Sequence, residues 1–385
     1  MPASEALDSL NDKSRVYSLI KYSLAIAELI FLLLILIIFQ SSGSSRILAN
    51  LLVGLIPQHF LAYPAYFFII YLVYYLFNLP INFCQSFFIE RQFGLSNQKI
   101  SDWIKDQLKS WVISCLIIII SLEAFYYSLK LSPSYWWLIV SAFWIFFNLV
   151  LAKIAPVVII PLFFKYKNIS DDRLKQKILG LASRMKVKVL DVFEIDFSRK
   201  SLKGNAAFVG MDGTKRILLA DTLKEKYNYD EIEVILAHEF AHFRLKHLLK
   251  LVIINSLLTI VFFWLFFKTN FYALNLFGLD SLSEVAAMPF IFIYFIIFSI
   301  VMDPVSNFIS RRFETNADRM SIQATGLKES FISAMEKLSI QNLADRNPHP
   351  IIKFIFFSHP PIGERIKMAE ALILKISVDR SNPKQ

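Results

Sequence analysis

The chain of 385 residues is 56% hydrophobic and has a mean hydropathy of +0.50. A soluble domain is usually about 45–50% apolar, so this composition excludes an ordinary soluble protein and predicts a membrane environment. The formal net charge of +10 is concentrated in a few polar segments between apolar runs, which argues against a nucleic-acid partner. The two cysteines, Cys84 and Cys115, stand alone and predict neither a disulfide framework nor a thiolate metal site.

Six apolar runs are long enough to cross a bilayer, which takes about 20 residues in a helix. In chain order they are Tyr17–Phe39, Phe60–Leu79, Trp111–Leu129, Tyr135–Phe164, Leu248–Phe267 and Glu284–Met302. Small residues follow the first run, as they would follow a signal peptide, but its long acidic leader favours a retained span. The sequence therefore predicts a mainly α-helical, multi-pass membrane protein.

The charge distribution predicts the orientation of the chain. With six spans, the polar segments within 80–110, 165–247 and 303–385 share one side of the membrane with the N-terminus. Residues 165–247 contain seventeen Lys and Arg, whereas the three loops on the other side contain three. Because connecting loops rich in Lys and Arg stay cytoplasmic, we expect the basic side to face the cytosol, in a bacterial plasma membrane or in the endoplasmic reticulum.

The six spans divide the chain into four parts. Residues 1–164 form spans one to four with a cytosolic-side loop at 80–110, and residues 248–302 form spans five and six. The polar blocks 165–247 and 303–385 lie on either side of that second pair of spans. If the two blocks form one domain, it is split in sequence and assembles at the membrane surface.

The first polar block mixes helix and strand patterns. A helical pattern covers Asp171–Met185, and a strand-like run covers Val187–Ile195. The turn "MDGT" (211–214) predicts an antiparallel hairpin between Asn205–Val209 and Lys215–Ala220. Together these elements predict a small α+β domain.

The next helix carries the histidines. Asp230, with Glu233 three residues later, matches a capping box and predicts the start of this helix. We expect this helix to run straight into the fifth span.

The stretch "HEFAH" (238–242) carries the first chemistry. His238 and His242 are one helical turn apart and about 40° apart in azimuth, so both imidazoles can bind one metal ion. Glu239 lies about 100° round from His238, where it can hold a water beside that ion rather than bind the ion itself. The alternative is a pair of histidines on the surface of an amphipathic helix.

A hydrolytic zinc site takes three protein ligands and one open position. Metzincins place a glycine and a third histidine after the motif, and those positions are Leu245 and Leu248 here, which excludes that class. On a continuous helix His247 lies about 140° from the face of His242, so we expect a supporting role for it rather than direct ligation.

The remaining source of a third ligand is an acidic residue on another helix. In "SRRFETNADRM" (310–320), Glu314 and Asp318 are again one turn apart. Glu314 can bind the metal, while Asp318 can accept a hydrogen bond from a ligand imidazole and fix its tautomer. The alternative is a solvated helix whose acids pair with its own arginines, which are Arg311, Arg312 and Arg319.

These motifs resemble the CAAX prenyl protease 1 family, integral-membrane zinc metalloproteases of the glutamate-zincin type. "HEFAH" followed by "RLKH" is similar to the zinc helix of that family, and "SRRFETNAD" is similar to its third-ligand segment. Three further stretches resemble its strand segment, its C-terminal motif and its loop between spans: "KGNAAFVG…KRILLADTL" (203–223), "SHPPIGER" (358–365) and "LPINFCQSFFIERQFGLSNQ" (79–98). The resemblance covers roughly residues 75–375.

The chemistry and the resemblance together predict one zinc ion (Zn2+) held by His238, His242 and Glu314, with Asp318 behind a ligand. Glu239 is predicted to take a proton from a water and deliver it to the leaving amine. The resemblance also implies that the spans enclose a water-filled chamber. Eukaryotic members have seven spans, and this chain lacks the first of them, as a compact prokaryotic-type member would.

Two further pairs of residues are expected at the site. His359 and Arg365 are candidate donors to the oxyanion, against the alternative of a loop breaker and a surface charge. Asn205 and Ala206 begin a strand that can bind an extended peptide if it forms a sheet edge, against the alternative of an ordinary hairpin strand.

The sequence thus predicts a zinc metalloendopeptidase that acts on membrane-associated peptides or proteins, and the resemblance implies C-terminally prenylated CAAX substrates. One alternative is a quality-control metalloprotease of the heat-shock type, although those enzymes are shorter and have fewer spans. Another is a transporter or scaffold with a structural zinc site. Glu239 argues against the last, because a structural site needs no general base.

Overall fold

The structure is a computed structural model that describes residues 3–56, 58–189, 191–209 and 216–381. Within these residues six helices are long and apolar enough to cross a membrane, and they are Asp12–Ser41, Phe60–Gln92, Ile100–Leu131, Trp136–Phe163, His247–Leu276 and Val285–Thr325. The predictions of a mainly helical chain and of six spans are confirmed. The last of these helices continues through the predicted domain boundary at residue 302.

The first half of the chain is helical. Its helices are α1 (Ala3–Ser41), α2 (Ser44–Leu55), α3 (His59–Phe83), α4 (Ile89–Gln92), α5 (Ile100–Leu131), α6 (Trp136–Ile154) and α7 (Ile160–Phe163). Single π-helical turns, Cys84–Phe88 and Ala155–Ile159, join α3 to α4 and α6 to α7. The spans pack around an aromatic core in which Phe266 and Tyr294 are 4.4 Å apart between ring centres.

The second half alternates polar elements with two long helices. In chain order it contains β1 (Tyr166–Asn168), α8 (Asp172–Arg184), β2 (Asp191–Ile195), β3 (Ala206–Val209), β4 (Arg216–Ala220), α9 (Asp221–Lys226), α10 (Tyr229–Arg244), α11 (His247–Leu276), α12 (Met288–Thr325), α13 (Lys328–Asn342), α14 (Pro350–Phe356) and α15 (Ile362–Ser381). One apolar core contains Leu181 and Phe240 from before α11 and Ala317 and Phe331 from after it. Both polar blocks therefore contribute to the same core.

The four strands form a sheet in the order β1-β2-β4-β3. β3 and β4 pair antiparallel, with Ala206 opposite Leu219, as the predicted hairpin requires. The predicted "MDGT" turn lies outside the described residues. β2 pairs parallel with β4, and the three-residue β1, too short to show a periodic pattern in sequence, adds to the other side of β2. β3 is an edge of this sheet and packs against α10.

The predicted capping box of α10 is wrong by two residues. Asn228 Oδ1 accepts a hydrogen bond from the Glu231 amide at 2.8 Å, and Glu231 Oε2 accepts one from the Asn228 amide at 2.9 Å. Asp230 and Glu233 instead form ion pairs with Lys177 on α8. In sequence, Asn228 with Glu231 and Asp230 with Glu233 both fit a capping box. The ion pairs with α8 engage the second pair, and Asn228 caps the helix.

The expectation that the histidine helix runs straight into the fifth span is also wrong. α10 ends at Arg244, and Lys246 adopts a left-handed backbone conformation with a φ of 54° before α11 begins at His247. The Lys246 amide donates to the Phe243 carbonyl at 3.0 Å, which closes the last turn. A left-handed lysine is uncommon, and no Gly or Pro marks the break in sequence.

The capping register can be tested by stability. Asn228→Ala removes one half of the observed capping box, and loss of such a cap costs about 1 kcal/mol. We expect the midpoint of thermal unfolding of the detergent-solubilised protein to fall by about 2–4 °C. Asp230→Ala is the control, because Asp230 is half exposed and caps nothing. A larger fall in the unfolding midpoint for Asp230→Ala than for Asn228→Ala would contradict capping by Asn228.

Candidate active site

Two helices bring the predicted ligands together. α10 carries His238 and His242, and α12 lies along it and carries Glu314 and Asp318. The two carboxylates are buried, so the alternative of a solvated helix is wrong. Arg311 does not pair with them. It donates to the carbonyl oxygen of Lys353 at 3.1 Å and to that of Phe357, which fixes α14 and the start of the "SHPP" loop.

Three donor atoms converge at the contact between α10 and α12. Nε2 of His238 lies 3.0 Å from Nε2 of His242 and 3.1 Å from Oε2 of Glu314. Nε2 of His242 lies 3.3 Å from Oε1 of Glu314. A tetrahedral ion with bonds of about 2.0–2.1 Å requires its donor atoms to be about 3.3 Å apart. Within the described residues, this is the one group of three such side chains that can share an ion.

Burial supports the fit to a cation. Glu314 Oε2 is buried and lacks a well-aligned hydrogen-bond donor, which is costly for a carboxylate oxygen. His238 is buried too, and although burial alone lowers the pKa of an imidazole, Asp318 and Glu314 outweigh it and raise the pKa of His238 to about 9. The same negative field that favours a proton there favours a metal ion, so the residues present suit a metal centre.

A second layer of contacts holds His238. Its Nδ1 lies 2.8 Å from Oδ1 of Asp318, in an ion-pair contact on the side of the ring away from the other ligands. Arg365 on α15 donates to both oxygens of Asp318, from Nε at 2.8 Å and from Nη2 at 2.6 Å. Such a bidentate pair is rigid, so Arg365, Asp318 and His238 form a chain of contacts that fixes the imidazole.

The imidazole of His242 is held by a contact with His247. The break after α10 turns its ring back toward the site, so that Nδ1 of His247 lies 3.1 Å from Nδ1 of His242. The ring stacks on Phe313, with centres 4.5 Å apart and planes 8° apart. The supporting role expected for His247 agrees with this contact, although the azimuth calculated for a continuous helix does not apply. The break supplies the geometry, and no sequence signal revealed it.

Glu239 faces a recess beside the three donors. The recess has a volume of about 220 Å3, and its lining includes His238, Glu239 and apolar side chains of α10 and α13. Removal from water raises the pKa of Glu239, and Glu314 raises it further against the pull of the two histidines. A carboxylate with a raised pKa holds a proton more readily, which suits a group that takes and returns one.

The remaining predicted residues border the same recess. Asn205, Ala206, His359 and Arg365 all line it. His359 is 60% exposed, and its Nε2 lies 3.4 Å from Oε2 of Glu314. The alternative of Arg365 as a surface charge is wrong, since its side chain is only 12% exposed. Two of its nitrogens, Nε and Nη2, hold Asp318.

Two residues that hold the start of β3 have no recognisable pattern in sequence. Asn342, at the end of α13, accepts a hydrogen bond from the Gly204 amide at 2.9 Å and donates to the Gly204 carbonyl at 3.4 Å. A Cβ at position 204 would lie 2.8 Å from Oε1 of Gln341 and 3.0 Å from Cδ2 of Leu223, so a larger residue there would require these side chains to shift. Asn342 gave no signal in sequence, because its partner is 138 residues away.

Two protein families match adjoining parts of the chain. Residues 168–373 match peptidase family M48, and residues 5–165 match the N-terminal region of CAAX prenyl proteases, described as five membrane helices. In that second region the described residues contain four helices long enough to cross a membrane, together with the shorter apolar helix α2.

Curated relatives and a solved structure agree with these matches. The uncharacterized metalloprotease YhfN of Bacillus subtilis is 30% identical over 88% of this chain and 80% of its own length. CAAX prenyl protease 1 of Saccharomyces cerevisiae is 32% identical over 75% of this chain and 68% of its own. The crystal structure of S. mikatae Ste24p superimposes with a TM-score of 0.84 at 27% identity, covering 94% of this chain and 89% of that one.

The contact between His247 and His242 predicts a measurable effect on metal binding. Loss of a group that orients a ligand typically lowers metal affinity about 10–100-fold. We expect this loss for His247→Phe, which keeps an aromatic ring on Phe313 but removes the nitrogens. His247→Asn, whose amide can occupy the position of Nδ1, should retain most of the affinity. The fraction of zinc retained at increasing chelator concentrations measures the zinc affinity of each variant. Equal affinities for the two variants would refute the orienting role of His247.

Proposed function

The chain belongs to peptidase family M48 and is a multi-pass membrane metalloendopeptidase of the CAAX prenyl protease type, and we propose that it cleaves membrane-associated peptides at a zinc site formed by α10 and α12. The observation that carries the proposal is the convergence of His238, His242 and Glu314 with Glu239 beside them. A structural zinc site closes all four positions with protein ligands, whereas three ligands and an adjacent carboxylate suit hydrolysis.

His238, His242 and Glu314 would hold the ion, and Asp318 and His247 would orient the two imidazoles. A zinc ion bound there supplies a Lewis acid that lowers the pKa of a water ligand to about 7. The buried carboxylate of Glu314 gains a counter-charge from the ion, which offsets the cost of its burial. These two ligand helices and their supporting contacts need no rearrangement for this role.

Glu239 would act as the general base and then as the general acid. Its carboxylate takes a proton from the attacking water as the carbon–oxygen bond forms, and it returns that proton to the amine nitrogen as the peptide bond breaks. The carboxylate of Glu239 lines the same recess as His238, which places it within the site where a substrate would bind. His359 and Nη1 of Arg365 would donate hydrogen bonds to the oxygen that becomes negative.

The edge strand β3 would bind the substrate in an extended conformation. A sheet edge presents unpaired backbone groups that a peptide can pair with, and Asn205 is exposed at the start of this edge. The recess next to Asn205 is bordered by Leu223, Phe331 and Met335, so it would accept an apolar side chain close to the scissile bond.

The charge pattern and the relatives support a cytosolic active site and a prenylated class of substrate. The Lys- and Arg-rich block 165–247 would face the cytosol, as the positive-inside rule requires. The yeast relative is named a CAAX prenyl protease, so a peptide ending in a prenylated CAAX sequence is the substrate to test first. A prenyl chain would also concentrate the peptide at the bilayer.

The role of Glu239 is tested by Glu239→Gln, which keeps the shape of the side chain and removes the base. Loss of general acid–base catalysis lowers kcat about 10²–10⁴-fold. We expect this fall in cleavage of a fluorogenic CAAX-like reporter peptide, measured with and without a farnesyl group, while zinc content stays at wild type. Glu329→Gln, 83% exposed on α13, is the control and should cleave normally. Wild-type kcat in Glu239→Gln would overturn the mechanism.

The ligand assignment is tested by metal content. Glu314→Ala removes a ligand oxygen from a site with three protein ligands, so we expect the purified protein to lose its zinc during dialysis. Glu239→Gln, prepared in parallel, should keep it, because that side chain lies beside the donors rather than among them. Elemental analysis of both proteins measures this difference, and unchanged zinc in Glu314→Ala would exclude Glu314 as a ligand.

A further inference from the structure

Away from the metal centre, the carboxylate of Glu90 joins the first membrane helix to the segment before β3. Glu90 lies on α4, and its side chain is only 12% exposed. One oxygen accepts hydrogen bonds from the hydroxyl of Tyr17 at 2.6 Å and from Nζ of Lys21 at 3.1 Å, both on α1. The other oxygen lies 2.8 Å from Nζ of Lys203.

Lys203 is the link to the edge strand. Its Nζ also donates to the Tyr17 hydroxyl at 3.0 Å and lies 5.4 Å from the centre of the Tyr17 ring. One carboxylate thus balances two ammonium groups, from Lys21 and Lys203, in a partly buried cluster. Without the negative charge the two ammonium groups would repel each other, and Lys203 would lose its strongest partner.

The backbone around Lys203 leaves little freedom before the substrate edge. The amide of Leu202 donates to the Leu95 carbonyl at 2.9 Å, and the Thr222 hydroxyl donates to the Lys203 carbonyl at 2.8 Å. Asn205 follows two residues later. The contact of Lys203 with Glu90 is therefore one of the contacts that hold the segment leading into β3, which begins at Ala206.

We propose that Glu90 is a positioning residue that holds Lys203 and thereby fixes the start of β3 relative to Glu239. This inference rests on the proposed function, because it assigns β3 to peptide binding. Glu90 acts through Lys203 and not on the reacting atoms. Backbone pairing along a strand is the same in the ground state and the transition state, so its loss raises KM and leaves kcat nearly unchanged.

The test is Glu90→Gln in the full-length, detergent-solubilised protein, assayed with the reporter peptide. We expect KM to rise about tenfold and kcat to stay within about twofold, in line with the coupling between directly contacting charges. The matched control is Glu194→Gln on β2, since Glu194 is also buried between two lysines, Lys167 at 2.6 Å and Lys224 at 3.0 Å. An unchanged KM in Glu90→Gln, or an equal rise in Glu194→Gln, would overturn the proposal.

A double-mutant cycle tests the route through Lys203. In Glu90→Gln the unneutralised Lys203 is displaced, so adding Lys203→Met should raise KM no further. Additive effects of the two substitutions would show that Glu90 acts by another route. If Glu90→Gln folds poorly, Tyr17→Phe keeps the ring, removes the 2.6 Å hydrogen bond to Glu90 and the 3.0 Å hydrogen bond from Lys203, and should raise KM about two- to threefold.

Hydrogen exchange separates failure of this inference from failure of the proposed function. Faster exchange of amides in residues 202–206 of Glu90→Gln, with residues 235–242 unchanged, supports positioning and needs no substrate. Unchanged exchange in 202–206 refutes positioning whatever the activity is. If the wild-type protein leaves the reporter peptide intact, the proposed substrate is wrong, and hydrogen exchange alone then decides the role of Glu90.

Discussion

Two carboxylates are buried where α10 meets α12, and their charges have to be balanced there. Breaking a buried ion pair costs about 3–5 kcal/mol, because it leaves a charge without a partner. Arg365 balances Asp318 through a bidentate contact, which requires α15 to pack over this part of α12. Glu314 faces two imidazoles and His359 and is the carboxylate left to a metal ion. The packing of three helices and the chemistry of the site therefore depend on the same pair of charges.

The membrane determines where this chemistry happens. α12 runs without interruption from the apolar residues near Met288 to the ligand segment, so Glu314 is rigidly attached to a membrane-spanning helix. The predicted apolar run ends at Met302, and twelve further residues at about 1.5 Å each put Glu314 about 18 Å beyond it. The ligand is therefore carried on the polar continuation of this helix, past the end of its apolar run.

Much of this could be predicted from the sequence, because the relevant signals are local. Six spans follow from hydropathy, and the pairing of His238 with His242 follows from the helical repeat. The hairpin strands follow from one Asp-Gly pair. The ligand role proposed for Glu314 needed a resemblance as well as a pattern, since two acids one turn apart beside arginines fit a solvated helix equally well. Burial distinguished the two interpretations, and burial depends on the whole fold.

The features that could not be predicted depend on long-range packing or on competition between equal local signals. Asn228 and Asp230 both fit a capping box, and only the ion pairs from α8 decide which residue caps the helix. The break at Lys246 has no Gly or Pro to mark it, yet it turns His247 toward His242. The bidentate contact of Arg365 with Asp318 could not be predicted either, because the two residues lie 47 positions apart in sequence.

Several contacts attach the site to the membrane bundle, among them α11, which follows directly from the histidine helix, α12, and the cluster around Glu90. α12 carries a ligand and its supporting carboxylate, whereas the cluster of Glu90 and Lys203 connects α1 and α4 to the start of β3. β3 also packs directly against α10, so contacts between these two elements, and not the spans alone, set the spacing between the histidine helix and this strand.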